Sequence, residues 1–130
     1  MPAIENIKSN AFSNCKVLSD VNVSNASKIE MDTFNGCTSL SEINLQNVYY
    51  LSARAFMNCT NLERIIVGSN FSDTTSTNYG DIGISVFYNC TKLSEVTNLS
   101  YAGYIGQAAF YKTLFSELCF LSLRHWSGSG

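Results

Sequence analysis

Four cysteines occupy a fixed place in this sequence. Cys15, Cys37, Cys59 and Cys90 each stand three residues after a phenylalanine. Thiols held in register suggest two chemistries. One is a redox ladder, because layers about 5 Å apart fall within the Cα separation of a disulfide. The other is a soft-metal column. A zinc site by local spacing is not expected, since no CxxC pair occurs and no histidine or acidic residue shares the column. The plainer expectation is a row of small, buried, inert thiols. Cys119 is out of register with the other four. The one histidine, His125, sits beside Trp126 and the SGSG end, with no partners of the kind a triad or metal site needs. No Gly-rich phosphate loop, H-E-x2-H or G-x-S-x-G motif is present. The sequence argues against an enzyme, and no cofactor or metal is expected.

Six N-x-S/T sequons occur, at Asn22, Asn25, Asn58, Asn70, Asn89 and Asn98. They permit glycosylation of a secreted protein. Fourteen asparagines in a Ser/Thr-rich chain also generate sequons by chance. Asn58 and Asn89 belong to a repeated N-C-T element, and Asn70 is the best-placed acceptor.

The elements that carry these residues follow from the phenylalanines. Phe12, Phe34, Phe56, Phe87 and Phe110 are separated by 22, 22, 31 and 23 residues. After the first four come the cysteines, then Leu18, Leu40, Leu62 and Leu93, then Val21, Ile43, Ile65 and Val96. Val23, Leu45 and Val67 close the first three units. Five residues before each phenylalanine stands Ile7, Ile29, Leu51, Ile82 or Ile105. The shared pattern is I-x4-F-x2-C-x2-L-x2-I-x-V. The fifth copy is degenerate: Thr113 replaces cysteine, and Leu118, Leu121 and Leu123 restore the spacing only with two inserted residues.

Spacing within a unit changes character. Phe12, Cys15 and Leu18 recur every three residues, which predicts a short helical turn. Val21 and Val23 alternate, which predicts a short strand. A unit of about 22 residues cannot bury its apolar side alone, so units must stack into a solenoid of about five repeats.

The L-x2-I-x-V core resembles leucine-rich repeats in general. The elements AFSNCKVL, TFNGCTSL, AFMNCTNL and VFYNCTKL resemble the BspA-like, or Treponema-type, class of that family. The resemblance runs from about Ile4 to Leu123. It implies an α/β solenoid, a right-handed superhelix with short parallel strands on the concave face and short helical turns on the convex side. It also implies relatives that are surface or secreted proteins of bacteria and protists, some of them adhesins. Localisation at the cell surface or outside the cell is expected on that ground. The degenerate fifth unit and a long insertion depart from the pattern and leave the ligand open.

Composition agrees with a binding scaffold. Hydrophobic residues make up 45% and charged residues only 14%, so Asn, Ser and Thr must cover the surface. Net charge is −2 and no Lys/Arg cluster occurs, which argues against nucleic acid. No apolar run reaches the roughly 18 residues of a membrane span. The first residues, MPAIENIKSN, do not read as a signal peptide, and both ends have the look of a cut piece. One repeat domain over 1–126 is expected, with 127–130 a flexible tail.

Two surfaces are candidates for a partner. On the strands, the positions between the aliphatic residues should face outward: Asp20, Glu42, Arg64 and Glu95 in one column, Asn22, Asn44, Ile66 and Thr97 in the next. Arg64 between two glutamates also reads as a charge ladder that only steadies the stack. The second surface is the insertion over 68–81, a polar stretch with Phe71 and Tyr79 as aromatic anchors. Tolerated drift of a surface loop would look the same. Tyr49, Tyr50, Tyr101, Tyr104 and Tyr111 cluster near the links; the first four precede the aliphatic column and should be partly buried, and any exposed remainder would suit a sugar or a protein. The expected function is non-enzymatic protein binding or adhesion, with a host-surface or matrix protein as partner. The alternative is a structural spacer in a longer repeat protein. Self-association through uncapped ends is a further expectation.

Overall fold

A computed structural model describes residues 7–68, 82–99, 102 and 104–114. Phe71, Tyr79, Asn70, Tyr101, Cys119, His125 and Trp126 lie outside the described residues.

Each rung of the stack has two strand sides joined by a run of turns. The L-x2-I-x-V segment forms β2 (Glu42–Leu45), β4 (Arg64–Val67) and β5 (Glu95–Val96). These pair in parallel in the order β2-β4-β5, with Glu42 beside Arg64 and Arg64 beside Glu95. The aliphatic column that precedes each phenylalanine forms a second, narrower ladder. There β1 (Lys28–Ile29) pairs in parallel with β3 (Tyr50–Leu51), and single bridges extend the line through Ile82 to Ile105. Parallel pairing follows from the repeat itself, since every rung runs the same way round.

The predicted columns form the core from rung two onward, while Phe12, Cys15 and Leu18 of rung one are only partly buried. Ile29, Phe34, Cys37, Leu40, Leu45, Leu51, Phe56, Cys59, Leu62 and Ile65 are buried with little or no exposure, and the same columns continue through rung four. Phenylalanines from five rungs stack with ring centroids 5.2–5.7 Å apart and interplanar angles of 4–24°.

One expectation is corrected. The segment from Phe to Leu is not a helical turn, and no α-helix occurs among the described residues. It is a ribbon of successive turns. Two residues per rung, two before and two after the phenylalanine, have left-handed φ values: Asn10 and Asn14, Asp32 and Gly36, Arg54 and Asn58, Ser85 and Asn89, Ala108 and Lys112. A left-handed residue at every fourth position cannot propagate a right-handed helix. The hydrogen bonds show what is gained. Alternate N–H groups bond three residues back within the rung, as Ala11 to Lys8 and Cys15 to Phe12 do. The others donate to the next rung, as Asn10 to Met31, Phe12 to Thr33 and Asn14 to Asn35 do, at 2.7–3.2 Å through all five rungs. A helix would keep every bond to itself and would hold its neighbour about 8–10 Å away. The turn ribbon bonds directly to its neighbour, so both sides of the stack share nearly one spacing.

Polar side chains fasten the ribbon. Asn89 donates to Asn58 at 3.0 Å, and Asn58 to Asn35 at 3.5 Å. In rung two a glycine takes the left-handed site: a Cβ on Gly36 would meet Asn14 Oδ1 at 2.4 Å. Arg54 grips Asp32 with two bonds of 3.0 Å, and Asn35 Nδ2 adds a third to the same carboxylate. Arg54 holds the Asp32 carboxyl below its usual 3.8, outweighing the burial that raises it.

Two outcomes test this account. Ala108 sits at φ 58 with no side-chain reason to be there. Ala108→Gly should stabilise the chain by about 0.5–1 kcal/mol in urea unfolding, because glycine removes the left-handed penalty. A loss of stability would mean the ribbon is misdescribed. The Asp32–Arg54 pair has a pH signature. A lowered carboxyl pKa gives stability that is full above the unfolded value and lost as pH falls through the folded one. Asp32→Asn should cost about 1 kcal/mol at pH 7, reduced for Arg54's exposure. The deficit should shrink in unfolding curves as pH falls below 3.8 and vanish once the folded carboxyl is protonated.

Candidate partner surface

The strand face carries the residues expected outward. Asp20, Asn22, Glu42, Asn44, Arg64 and Glu95 are exposed, while Ile66 and Thr97 are half-buried. Their local geometry separates those with structural work from those without. Arg64 lies 3.5 Å from Glu42 and 3.4 Å from Glu95, so the charge ladder exists. Asn22 Oδ1 accepts from Ser24 N at 3.1 Å, and Asn44 Oδ1 from Gln46 N at 3.0 Å. Both are side-chain turns, the second where the chain leaves β2. In rung one the segment expected as a strand from Val21 and Val23 forms none, having no paired rung before it among the described residues.

Rung three has Ile66 where the earlier rungs have that asparagine, and it is bent from outside. Thr97 Oγ1 accepts from Val67 N at 2.7 Å and donates to Val67 O at 2.8 Å, and Asn98 Nδ2 also donates to Val67 O. Thr97 is therefore a brace at the point where the 68–81 insertion leaves β4. Gly68 is required at that point, since a Cβ would come within 2.2 Å of the Gln46 carbonyl. Asn98, unnoticed except as a sequon, shares the job.

Asp20 is the polar member of the described set with no ion pair or side-chain bond among the described residues. A residue outside the set matches it: Glu63, exposed just before β4. Strand alternation places only the second of the two positions between Leu and Ile outward. Beside Asp20 opens a cleft of about 370 Å³, lined by Asp20, Val21, Asn22, Val23, Ser24 and Asn44.

Exposed apolar side chains gather elsewhere. On the narrow-ladder side, Tyr50, Ala53, Gly83, Ile84 and Tyr104 line a groove of about 270 Å³. Ile84 is 55% and Tyr104 46% exposed. Tyr49 and Tyr50 are half-buried, as expected of link tyrosines, and Tyr111 stacks on Tyr88 at 5.2 Å.

The cysteine column is occupied by hydrogen bonds. Sγ of Cys37, Cys59 and Cys90 donates to the carbonyl of Phe12, Phe34 and Phe56 on the preceding rung, at 3.1, 3.0 and 2.9 Å. All four described thiols are free. Burial, with the Cys59 thiol nearby, pushes Cys37 up to about 12. The bond with Cys90, together with burial, raises Cys59. Among the described residues no cluster of three His, Cys, Asp or Glu could hold a metal ion. Alkylation by iodoacetamide at pH 8 should reach half-buried Cys15 well before Cys37, Cys59 and Cys90, as read by peptide mass mapping. Equal rates at all four would show that the column is open.

Comparison with known proteins agrees with this geometry. The profile of the BspA type leucine rich repeat region matches residues 2–79 and 70–125 in six copies, one more than the five units counted from phenylalanine. No curated protein matches the chain. A leucine rich cell surface protein from Faecalibacterium prausnitzii superposes with a TM-score of 0.60 at 25% identity, over 94% of this chain and 26% of that one. A leucine-rich repeat protein from Bacteroides ovatus superposes with a TM-score of 0.51 at 19% identity, over 98% of this chain and 44% of that one. The chain thus spans about a quarter of one structure and under half of the other. A solenoid of these rungs, matched along nearly its whole length by one repeat profile, belongs to the BspA-type leucine-rich repeat family.

Proposed function

We propose that this chain is a non-enzymatic protein-binding or adhesion module at the cell surface. It is one domain over 1–126 with 127–130 as a tail, a right-handed solenoid with its strand face concave. That face and the 68–81 insertion are the partner surfaces, with Phe71 and Tyr79 as the insertion's anchors. The observation that carries the reading is the strand face itself: three parallel strands in strict register, with charged and polar side chains outward. Repeats stacked in this way offer an extended surface to an extended partner. The brace of Thr97 and Asn98 on Val67 supports a presenting role for the insertion, because it fixes the place where that segment begins. The cell-surface description of the structural relative supports the location.

One observation favours the second reading, a spacer in a longer repeat protein. Asn22, Asn44 and Thr97 spend their polar atoms on the fold, and Arg64 is committed to Glu42 and Glu95. Surface plasmon resonance against extracellular-matrix and host-surface proteins decides between them, with a form lacking 69–81 in parallel. Saturable binding that weakens by tenfold or more on deletion supports the insertion as the site. Binding unchanged by deletion but weakened severalfold by Ile66→Ala places the partner on the strands. Silence from both forms favours the spacer.

A further inference from the structure

Charge is unevenly distributed around the solenoid. The strand face and its approach hold four carboxylates, Asp20, Glu42, Glu63 and Glu95, against one cation, Arg64. That is a net −3. The other described residues hold Lys8, Lys16, Lys28, Arg54, Lys92 and Lys112 against Glu30 and Asp32, a net +4, although Lys92 reaches Asn61, two residues from Glu63. The pairing sharpens the contrast. The two other described carboxylates are paired, Glu30 with Lys28 at 3.4 Å and Asp32 with Arg54 at 3.0 Å. On the strand face Arg64 is shared between Glu42 and Glu95, and Asp20 and Glu63 face solvent with no cation partner among the described residues. Stability does not account for this arrangement. Rungs that repeat in register would bring like charges side by side, and Arg64 relieves that only for its two neighbours.

We infer that the strand face receives a basic, extended polypeptide segment, with one cationic side chain seated in the cleft beside Asp20. This rests on the strand face being a partner surface and adds the chemistry of the partner. The cleft suits a lysine or arginine. It opens between the first rung and β2, next to the carboxylate of Asp20. Asn22 and Asn44 supply further polar lining, each with its Oδ1 already engaged. The Glu42 and Glu95 carboxylates lie two rungs apart, about 10 Å. A segment in an extended left-handed conformation repeats every three residues, about 9.3 Å, so lysines three apart would meet one glutamate each. A second copy of this chain fits less well, because its described cations are dispersed over all five rungs. Arg64, flanked by carboxylates, keeps the face from binding cations indiscriminately.

The test uses three fluorescent twelve-residue peptides with lysine, glutamine or glutamate at every third position, titrated against the whole chain by anisotropy. The lysine peptide should bind saturably and lose about tenfold in affinity between 50 and 300 mM salt, read on the unaltered chain. Asp20→Asn with Glu63→Gln should weaken it about five- to tenfold, since neither side chain supports the fold. Glu30→Gln with Gln107→Lys changes net charge equally but off the β2-β4-β5 face and should leave it within twofold. Equal loss in both double variants, or no binding of the lysine peptide at millimolar protein, overturns the inference. Binding of the glutamine or glutamate peptide that Ile66→Ala weakens would overturn it while leaving the strand-face reading intact. Self-association in sedimentation that Asp20→Asn with Glu63→Gln abolishes would assign the face to a second copy and overturn it as well.

Discussion

Everything in this fold depends on holding successive rungs at one close spacing on every side. Strands do this without special sequence, because parallel ladders set neighbouring chains just under 5 Å apart. The difficulty lies on the side that carries the phenylalanines. There the chain must turn sharply inward to bury a ring, yet still present N–H groups to the rung above. Left-handed residues at two places per rung solve both problems. They reverse the local coil before a helix can form, and they direct alternate N–H groups out of the plane of the rung. The phenylalanine stack is possible only because the backbone on that side has already come close.

This requirement explains the asparagines better than glycosylation does. Asn10, Asn14, Asn58 and Asn89 stand at left-handed sites, where asparagine is among the least strained of non-glycine residues. Asn58 and Asn89 then add a side-chain ladder along the stack. Two of the six sequons are by-products of that geometry. The cysteines follow the same logic. A small thiol is buried there and donates to the phenylalanine carbonyl of the rung before.

Much of this was legible in the residues. The columns of Ile, Phe, Cys and Leu marked the core, and the alternation of Val21 with Val23 marked which side chains face out. The Glu42–Arg64–Glu95 ladder could be read from spacing alone. The turn ribbon was not read, because a three-residue period is shared by helical turns and by successive tight turns. The signal that separates them was present in Asn14, Gly36, Asn58 and Asn89, all at one position and all tolerant of positive φ. Thr97 was harder. Its partner is a backbone thirty residues away, and the need for it arises only because Ile66 lacks the side-chain oxygen that Asn22 and Asn44 supply to their own rungs. Compensation of that kind between rungs leaves no local pattern.

Among the described residues, twelve hydrogen bonds leave the turn ribbon for the next rung, and all run in one sense, from each rung toward the one that follows it in sequence. In the strand ladders the bonds run both ways, as from Ile82 to Tyr104 and from Gly106 to Ile82, and largely cancel. The ribbon's peptide dipoles therefore add along the axis of the stack, as they do in a helix, with the positive pole at the later rungs. A solenoid of this construction is electrically polar end to end. Its two ends are distinguishable to an approaching ion or chain even where their side chains are alike, and each further rung of the same kind lengthens the dipole without altering its direction.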